Sequence, residues 1–351
     1  MTSFINTLQP ALRQHIANGY VMVRQHPTAE LYILNYTAQA QYEGVWDEHT
    51  LACRGLILNG QGQVVARPFG KFFNLDEHGP EWTPPVTTDG PEPFVAYEKL
   101  DGSLGILYWH DGMPHIASRG SFMSEQAQRA THLLHTRYAH VLPRLDPTKT
   151  YLFEIIYPEN RIVVDYGDRE ALVLLGVIDT ATGADHADLP DIGFPLVRRF
   201  DGYTDLAAIR AVQLDNEEGF VIRFASGFRV KVKMAEYVRL HRILTQISSR
   251  NIWEYLATNQ PFDAILERVP DEFYDWVKAT VANFTAQYEA IEADCWFAFQ
   301  VRESRKETAL YFQTQRYPAV LFLMLDNRDY SSTIWKLLRP PYERPFMNKE
   351  S

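Results

Sequence analysis

Residues 98–103 read Glu98-Lys99-Leu100-Asp101-Gly102-Ser103. They close the apolar run Phe94–Lys99 with a lysine and follow it with Asp-Gly, a pair that signals a hairpin between two strands. A lysine at a strand end is most often a solvated surface residue, and the hexapeptide by itself reads that way. A chemical role needs company. A lysine amine attacks an electrophile only when neutral, and its ordinary pKa of about 10.4 falls only through burial or nearby cations.

The chain supplies such company. In Phe228-Arg229-Val230-Lys231-Val232-Lys233, strand alternation puts the valines on one face and Arg229, Lys231 and Lys233 on the other. Three cations on one face suit phosphate, although a solvated edge strand guarded by lysines has the same pattern. Two acidic residues lie in apolar strands. Glu154 sits within Tyr151-Leu152-Phe153-Glu154-Ile155-Ile156-Tyr157, and Glu218 precedes Gly219-Phe220-Val221-Ile222. A carboxylate buried without a partner is costly, so each predicts a cation, a hydroxyl or a metal beside it. Structural salt bridges with arginine are the plainer reading of each, and Mg²⁺ is the metal that such oxygen ligands suit.

Working outward, residues 1 to about 235 read mainly as strands. The expected ones are Leu31–Tyr36, Gly55–Leu58, Val64–Arg67, Phe94–Lys99, Gly105–Trp109, His115–Ser118, Tyr151–Tyr157, Ile162–Asp165, Leu172–Ile178, Gly219–Phe224 and Phe228–Val232, separated by turns at Asn59-Gly60, Asp101-Gly102, Asp111-Gly112 and Ser226-Gly227. Ser124–Val141 and Tyr203–Val212 read as helices, and Pro80–Pro93, with five prolines, as a loop. Beyond Lys233 the pattern changes. Phe273, Trp276, Val277, Thr280, Val281, Phe284, Tyr288 and Ile291 recur three or four apart, the spacing of one helix face. Ala235–Thr245, Trp253–Leu256, Glu307–Gln315 and Ala319–Leu325 are compatible with helix too. The expected organisation is a strand-rich domain over 1–241 and a smaller all-helical domain over 242–351, with the aromatic stripe as its core.

With 46% apolar and 22% charged residues, the composition is that of a globular protein. No apolar stretch approaches the ~20 residues of a spanning helix, and the first residues lack the pattern of a signal peptide. The short apolar stretches predict no membrane partner, and the two cysteines, Cys53 and Cys295, which make neither a disulfide framework nor a zinc site, predict a reducing cytoplasm. The net charge of −10 argues against a general nucleic-acid coat and leaves room for a local basic groove. The eleven histidines show no zinc spacing, and neither a P-loop nor Gly-x-Ser-x-Gly is present.

Taken together, these runs resemble the covalent nucleotidyltransferases: ATP-dependent DNA and RNA ligases and GTP-dependent capping enzymes. That superfamily has a nucleophilic Lys-x-Asp-Gly, a Glu-bearing strand, a Glu-Gly segment and a Lys-x-Lys strand, in that order. Here they are Lys99-Leu100-Asp101-Gly102, Phe153-Glu154-Ile155, Glu218-Gly219-Phe220-Val221 and Lys231-Val232-Lys233. The nearer resemblance is to the bacteriophage RNA ligase 1 family. Arg54-Gly55-Leu56-Ile57-Leu58, Lys71-Phe72-Phe73-Asn74-Leu75, Ser118-Arg119-Gly120-Ser121 and Pro158-Glu159-Asn160-Arg161-Ile162-Val163 look like its further signatures.

The resemblance implies an α+β fold. Its N-terminal part would be an ATP-grasp-like adenylyltransferase domain of antiparallel sheets with flanking helices, followed by an all-α C-terminal domain. It implies ATP as cofactor with Mg²⁺ or Mn²⁺. Lys99 would form lysyl-AMP. Glu154 would contact the ribose, and Arg119 the ribose or phosphates. Arg54 and Lys71 would hold the β- and γ-phosphates. Glu218 would place the metal through water, and Lys231 and Lys233 would contact the α-phosphate. Tyr36 would line the nucleotide pocket. Asp101 counts among the catalytic residues, and Glu98 and Gly102 among those that bind the nucleotide. Ala171–Asp179 has no aromatic, where many superfamily members stack one on the base, which leaves adenine between aliphatic side chains.

The implied reaction joins RNA 5′-phosphate and 3′-hydroxyl ends through lysyl-AMP and adenylylated RNA, as in tRNA repair, with a monomer expected. Three other readings compete: a DNA ligase, a capping guanylyltransferase, and a non-catalytic module that binds nucleotide or RNA. The first two usually carry a strand-rich OB domain after the Lys-x-Lys strand, and the helical periodicity here argues against one. The last would show a degenerate motif, and none of the four is visibly broken.

Overall fold

The computed structural model describes residues 2–75, 85–87, 90–203, 205–235, 237–238, 248–260 and 274–340. By backbone contacts the chain divides into two units, Met1–Leu244 and Thr245–Ser351.

The first unit is built from sheets. Strands β1 (Val21–Gln25), β2 (Leu31–Tyr36), β3 (Arg54–Asn59) and β4 (Val64–Ala66) form one antiparallel sheet in that order. Next along the chain come β5 (Phe73–Asn74), the two-stranded ladder β6 (Val86–Thr87) and β7 (Gly90–Pro91), and β8 (Phe94–Lys99). Then follow β9 (Ser103–His110), β10 (Met113–Ser118), β11 (Lys149–Ile156), β12 (Ala171–Asp179), β13 (Arg199–Phe200), β14 (Gly219–Phe224) and β15 (Arg229–Lys233). They assemble as a four-stranded sheet, β10-β9-β11-β12, and a five-stranded sheet, β13-β8-β14-β15-β5. Only the β15–β5 pair is parallel among the described strands.

Turn chemistry explains several joints. Asp111 (φ 49°) and Gly112 (φ 75°) both adopt positive φ between β9 and β10, as a tight hairpin requires. The Asp101-Gly102 pair does something else. The expected hairpin there is absent, because β8 pairs with β13 and β14 whereas β9 pairs with β10 and β11. The chain crosses from one sheet to another at this point, and Asp101 is buried in the crossing.

Apolar residues cover one or both faces of the three larger sheets. The helix Glu125–His135, capped by Ser124 accepting from the Ala127 N–H, buries Ala127, Ala130, Leu133 and Leu134. Against it pack Leu107, Phe153, Ile155, Leu172 and Leu174 of the four-stranded sheet. Ile106, Leu152 and Ile178 on the opposite face meet Leu31, Ile33 and Ile57 of the first sheet. In the five-stranded sheet, Ala96, Phe220, Ile222, Phe224 and Val230 form a further core, and the alternate residues face the other way.

The differences from expectation have physical causes. The predicted helix Ser124–Val141 breaks after His135 and resumes as a 3₁₀ segment, Ala139–Arg144, containing Pro143. Ile162–Asp165 is not a strand; the N–H groups of Val163 and Val164 go to a side chain instead of a ladder. Short helices at Thr2–Thr7, Pro10–Ala17, Ala38–Glu43 and Glu48–Ala52 occur where strands dominated the reading. Of the proline-rich stretch, 80–84, 88 and 89 lie outside the described residues, as do most of Ala235–Thr245 and Phe273.

The described part of the second unit is helical: Ser249–Thr258, Tyr274–Ala298, Arg305–Gln313, Pro318–Leu325 and Ser331–Leu337. Tyr274, Val277, Phe284, Ile291 and Cys295 make the buried stripe of the long helix. Phe312, Val320, Leu321 and Ile334 close the core around Ile291 and Cys295. Among the described residues, no helix is long and apolar enough to cross a membrane.

Candidate active site

Three strands of the five-stranded sheet put their ends together. Gly219, first residue of β14, is paired with Lys99 on one side and Lys233 on the other. The residue before it, Glu218, is buried, and its Oε1 lies 2.5 Å from Lys99 Nζ and 3.5 Å from Lys233 Nζ. Glycine is needed here. Gly219 has φ +149°, and a Cβ would stand 2.0 Å from the Val232 carbonyl oxygen. Lys231, two residues before Lys233, is on the same face of β15.

Asp101 fixes the segment after Lys99. One oxygen, Oδ2, accepts from the Val163 and Val164 N–H groups at 2.7 and 2.8 Å. The other accepts from the Tyr237 hydroxyl at 2.9 Å. The Asp101 N–H donates to the Tyr166 hydroxyl at 2.8 Å. Asn160 pins the same stretch, accepting from Ser103 Oγ at 3.1 Å and donating to the Ile155 carbonyl at 2.9 Å. Gly102 leaves no room for a side chain: a Cβ would lie 2.6 Å from the Ile155 carbonyl oxygen and 3.2 Å from Glu154 Oε1.

Glu154, on β11, therefore closes the cluster from the other sheet. Burial pushes its carboxyl up to about 8. Lys99 and Arg54 pull in the opposite direction, and Glu218 and Asp101 add to the rise. Near neutrality the uncharged form is favoured.

A second group gathers cations over aromatic rings. Lys71 Nζ lies 5.4, 5.5 and 5.2 Å from the ring centroids of Tyr36, Trp46 and Phe73. Arg119 Nη1 reaches the Tyr36 hydroxyl at 3.4 Å. A Cβ on Gly55 would lie 3.0 Å from the Arg119 carbonyl oxygen, so this glycine lets the β3 backbone beside Arg54 approach Arg119 closely. Arg54, whose guanidinium lies over the Phe72 ring, also acts on Glu154, lowering its carboxyl against the effect of burial.

Of the expected site residues, Lys99, Asp101, Gly102, Glu154, Glu218 and Lys233 come together, with Lys231 alongside. Tyr36, Lys71 and Arg119 form the neighbouring group. Glu98 is the exception: alternation turns it to the opposite face of β8, where its carboxylate is 3.8 Å from Arg198 Nε. Its backbone remains next to Lys99, but its side chain does not join the cluster. Sequence reasoning missed Tyr166, Tyr237 and Trp46. It noted Pro158–Val163 without seeing that this loop supplies Asn160 and the Val163 N–H to the segment that follows Lys99. It also missed Phe69, whose ring packs against Gly176 in the aromatic-free strand β12.

The match to known proteins follows this arrangement. A family model described as RNA ligase matches residues 52–237, more than half of the chain and every strand that builds the Lys99–Glu218–Lys233 cluster. The chain belongs to the RNA ligase family. Among curated relatives of this family, a candidate bifunctional polynucleotide kinase/RNA ligase of Autographa californica nuclear polyhedrosis virus is 29% identical over 71% of this chain. A candidate RNA ligase of Thermovibrio ammonificans is 30% identical over 66% of it. The chain spans 39% of the length of the first and 60% of the second. The RNA ligase of Rhodothermus phage RM378 is 25% identical over 85% of each chain.

Proposed function

We propose that the chain is an ATP-dependent RNA ligase in which Lys99 attacks the α-phosphorus of ATP and carries AMP. The observation that supports this most is the contact of the Lys99 amine with a buried carboxylate that a second lysine also faces. An ammonium has no lone pair with which to attack. Glu218 Oε1 is within reach of the Lys99 proton, and Lys231 and Lys233 would offset the negative charge that grows on the phosphorus oxygens.

The metal-binding chemistry is compatible with this reading. Among the described residues no three His, Cys, Asp or Glu side chains are grouped as a metal cage. Mg²⁺, however, is ordinarily held by one or two carboxylates and completed by phosphate oxygens and water. Glu218 is the carboxylate that would hold it, through water, and Mn²⁺ would be accepted in the same way. When bound, the ion neutralises charge on the phosphate oxygens.

Each group then has a task. Lys99 takes up AMP as pyrophosphate leaves, passes it to an RNA 5′-phosphate, and AMP departs when a 3′-hydroxyl attacks the adenylylated end. Asp101, through its three accepted hydrogen bonds, keeps the Lys99 segment against Glu154. Arg54, Lys71 and Arg119 face the outer phosphates and the ribose. The reading takes nicked RNA, tRNA included, as the substrate, a monomer as the active form and the cytoplasm as the compartment. The two cysteines, both buried and free, suit a reducing one. The helical unit is read as the selector of RNA.

The test is a sealing assay with ATP or GTP and with RNA or DNA ends. ATP-dependent joining of 5′-phosphate to 3′-hydroxyl RNA ends is expected. A requirement for GTP, or sealing of DNA in preference to RNA, would replace this reading by one of its rivals.

A further inference from the structure

The sheet face that bears Lys99 and Lys233 continues along β15 through Lys231 to Arg229. Arg229 and Lys233 are four strand steps apart, about 13 Å. At that end lies a cleft of about 600 Å³, with Arg67, Phe69, Lys71, Asp185, Phe228 and Arg229 in its walls. Lys99, Glu154 and Glu218 do not line it.

The cleft has the chemistry of a nucleotide site. Its size suits a small organic ligand. The Arg229 guanidinium lies over the Phe69 ring, 4.2 Å from its centroid, giving a flat cationic and aromatic wall. Asp185 Oδ2 accepts from Arg223 Nε at 2.8 Å and Arg229 Nη2 at 2.6 Å. Its other oxygen, Oδ1, is buried and has no hydrogen-bond partner among the described residues. A buried acceptor left unmet is costly and calls for a donor. The N–H groups on a nucleobase edge are such donors. Rings stack on bases without regard to sequence, and cations track the backbone phosphates. On a chain with net charge −10, cations assembled on one face distinguish that face from the rest of the surface.

We infer that this cleft holds a nucleotide of the RNA strand beside the end being joined. Its base lies against the Phe69 ring beside Arg229 and donates to Asp185 Oδ1, and its phosphates run past Lys231 toward Lys99. The inference rests on the ligase reading for its substrate class. The other occupant the cleft could take is the tail of ATP, whose outer phosphates the ligase reading gives to Lys71 in the same wall, and the experiment separates the two.

Ala184 and Ser226 are exposed and line the cleft. Ala184→Trp and Ser226→Trp each fill it from the rim and leave its buried groups in place, so one serves if the other fails to fold. Two readouts are taken on the full chain. The first is the KM for α-labelled ATP in protein labelling without RNA. The second is the Kd for a fluorescent single-stranded oligoribonucleotide with a 5′-phosphate, by anisotropy. The expected result is an unchanged KM for ATP and a Kd for RNA raised about tenfold. A raised KM for ATP would assign the cleft to the nucleotide cofactor and overturn the inference. An unchanged Kd for RNA in both folded variants would overturn it as well. Failure of the wild type to take up label would defeat the ligase reading instead, and the anisotropy would still decide the cleft.

Discussion

Glu218 Oε1 stands 2.5 Å from Lys99 Nζ, an ion pair formed where the next residue, Gly219, is paired with Lys99 on one side and Lys233 on the other. If this carboxylate handles the amine's proton, Glu218→Gln keeps the shape of the side chain and loses the function. Label transfer from α-labelled ATP to the protein is expected to fall about 10²- to 10³-fold, with the circular dichroism spectrum retained. Labelling near the wild-type rate would remove Glu218 from the chemistry.

Gly219 is expected to tolerate no side chain. A Cβ there would stand 2.0 Å from the Val232 carbonyl oxygen, whereas one on Gly227, in the β14–β15 turn, meets nothing within 4 Å. Both glycines have positive φ, so alanine strains each. The added clash should make Gly219→Ala the worse by roughly 2 kcal/mol or more. Urea unfolding of the two variants measures the difference, and equal midpoints would contradict it.

The hydroxyl of Tyr237 donates to buried Asp101 at 2.9 Å. Tyr237→Phe removes one hydrogen bond to a carboxylate, a loss of about 1.5–3 kcal/mol. Chemical denaturation should show that loss, together with slower labelling of Lys99. A variant as stable and as fast as wild type would mean that the Asp101 clamp does not act on the nucleophile.

Stability should depend on pH in opposite senses at two places. The Glu154 carboxyl is raised to about 8. Between the ordinary carboxylate range and pH 8 the folded state holds a proton that the unfolded chain has released, so stability falls as pH rises through that window. Glu154→Gln mimics the neutral form and should flatten that fall. His115 is shifted down, chiefly by burial and then by His135, His110 and His26. It binds its proton less readily when folded, so stability is lost as pH drops below about 6.5. His115→Gln should lessen the acid-side loss. Melting curves from pH 5 to 9 check both, and parallel curves for wild type and variants would refute the assignments.

Much of this was legible because strands announce themselves locally. Phe94–Lys99 and Gly219–Phe224 occupy the ranges their apolar runs predict. The alternation of Arg229, Lys231 and Lys233 against Val230 and Val232 sets their faces without further information. Asp101 shows where local reading stops. Its Asp-Gly pair has the chemistry of a hairpin, but its carboxylate is taken by N–H groups more than sixty residues away. Those same N–H groups turned Ile162–Asp165 from a strand into a clamp. Nothing in the order of residues says that Phe69 will pack against Gly176 or that Tyr237 will reach Asp101. Such contacts depend on how the sheets meet. Glu98 illustrates the converse: it neighbours Lys99 in sequence, and strand geometry sends its side chain to the other face.

The central claim is that Lys99 carries AMP covalently. Intact-protein mass spectrometry after incubation with ATP and Mg²⁺, followed by peptide mapping, tests it most directly. The expected result is a mass gain of one AMP, confined to the peptide containing Lys99 and absent from Lys99→Ala. AMP on another residue, or equal labelling of the alanine variant, would contradict it.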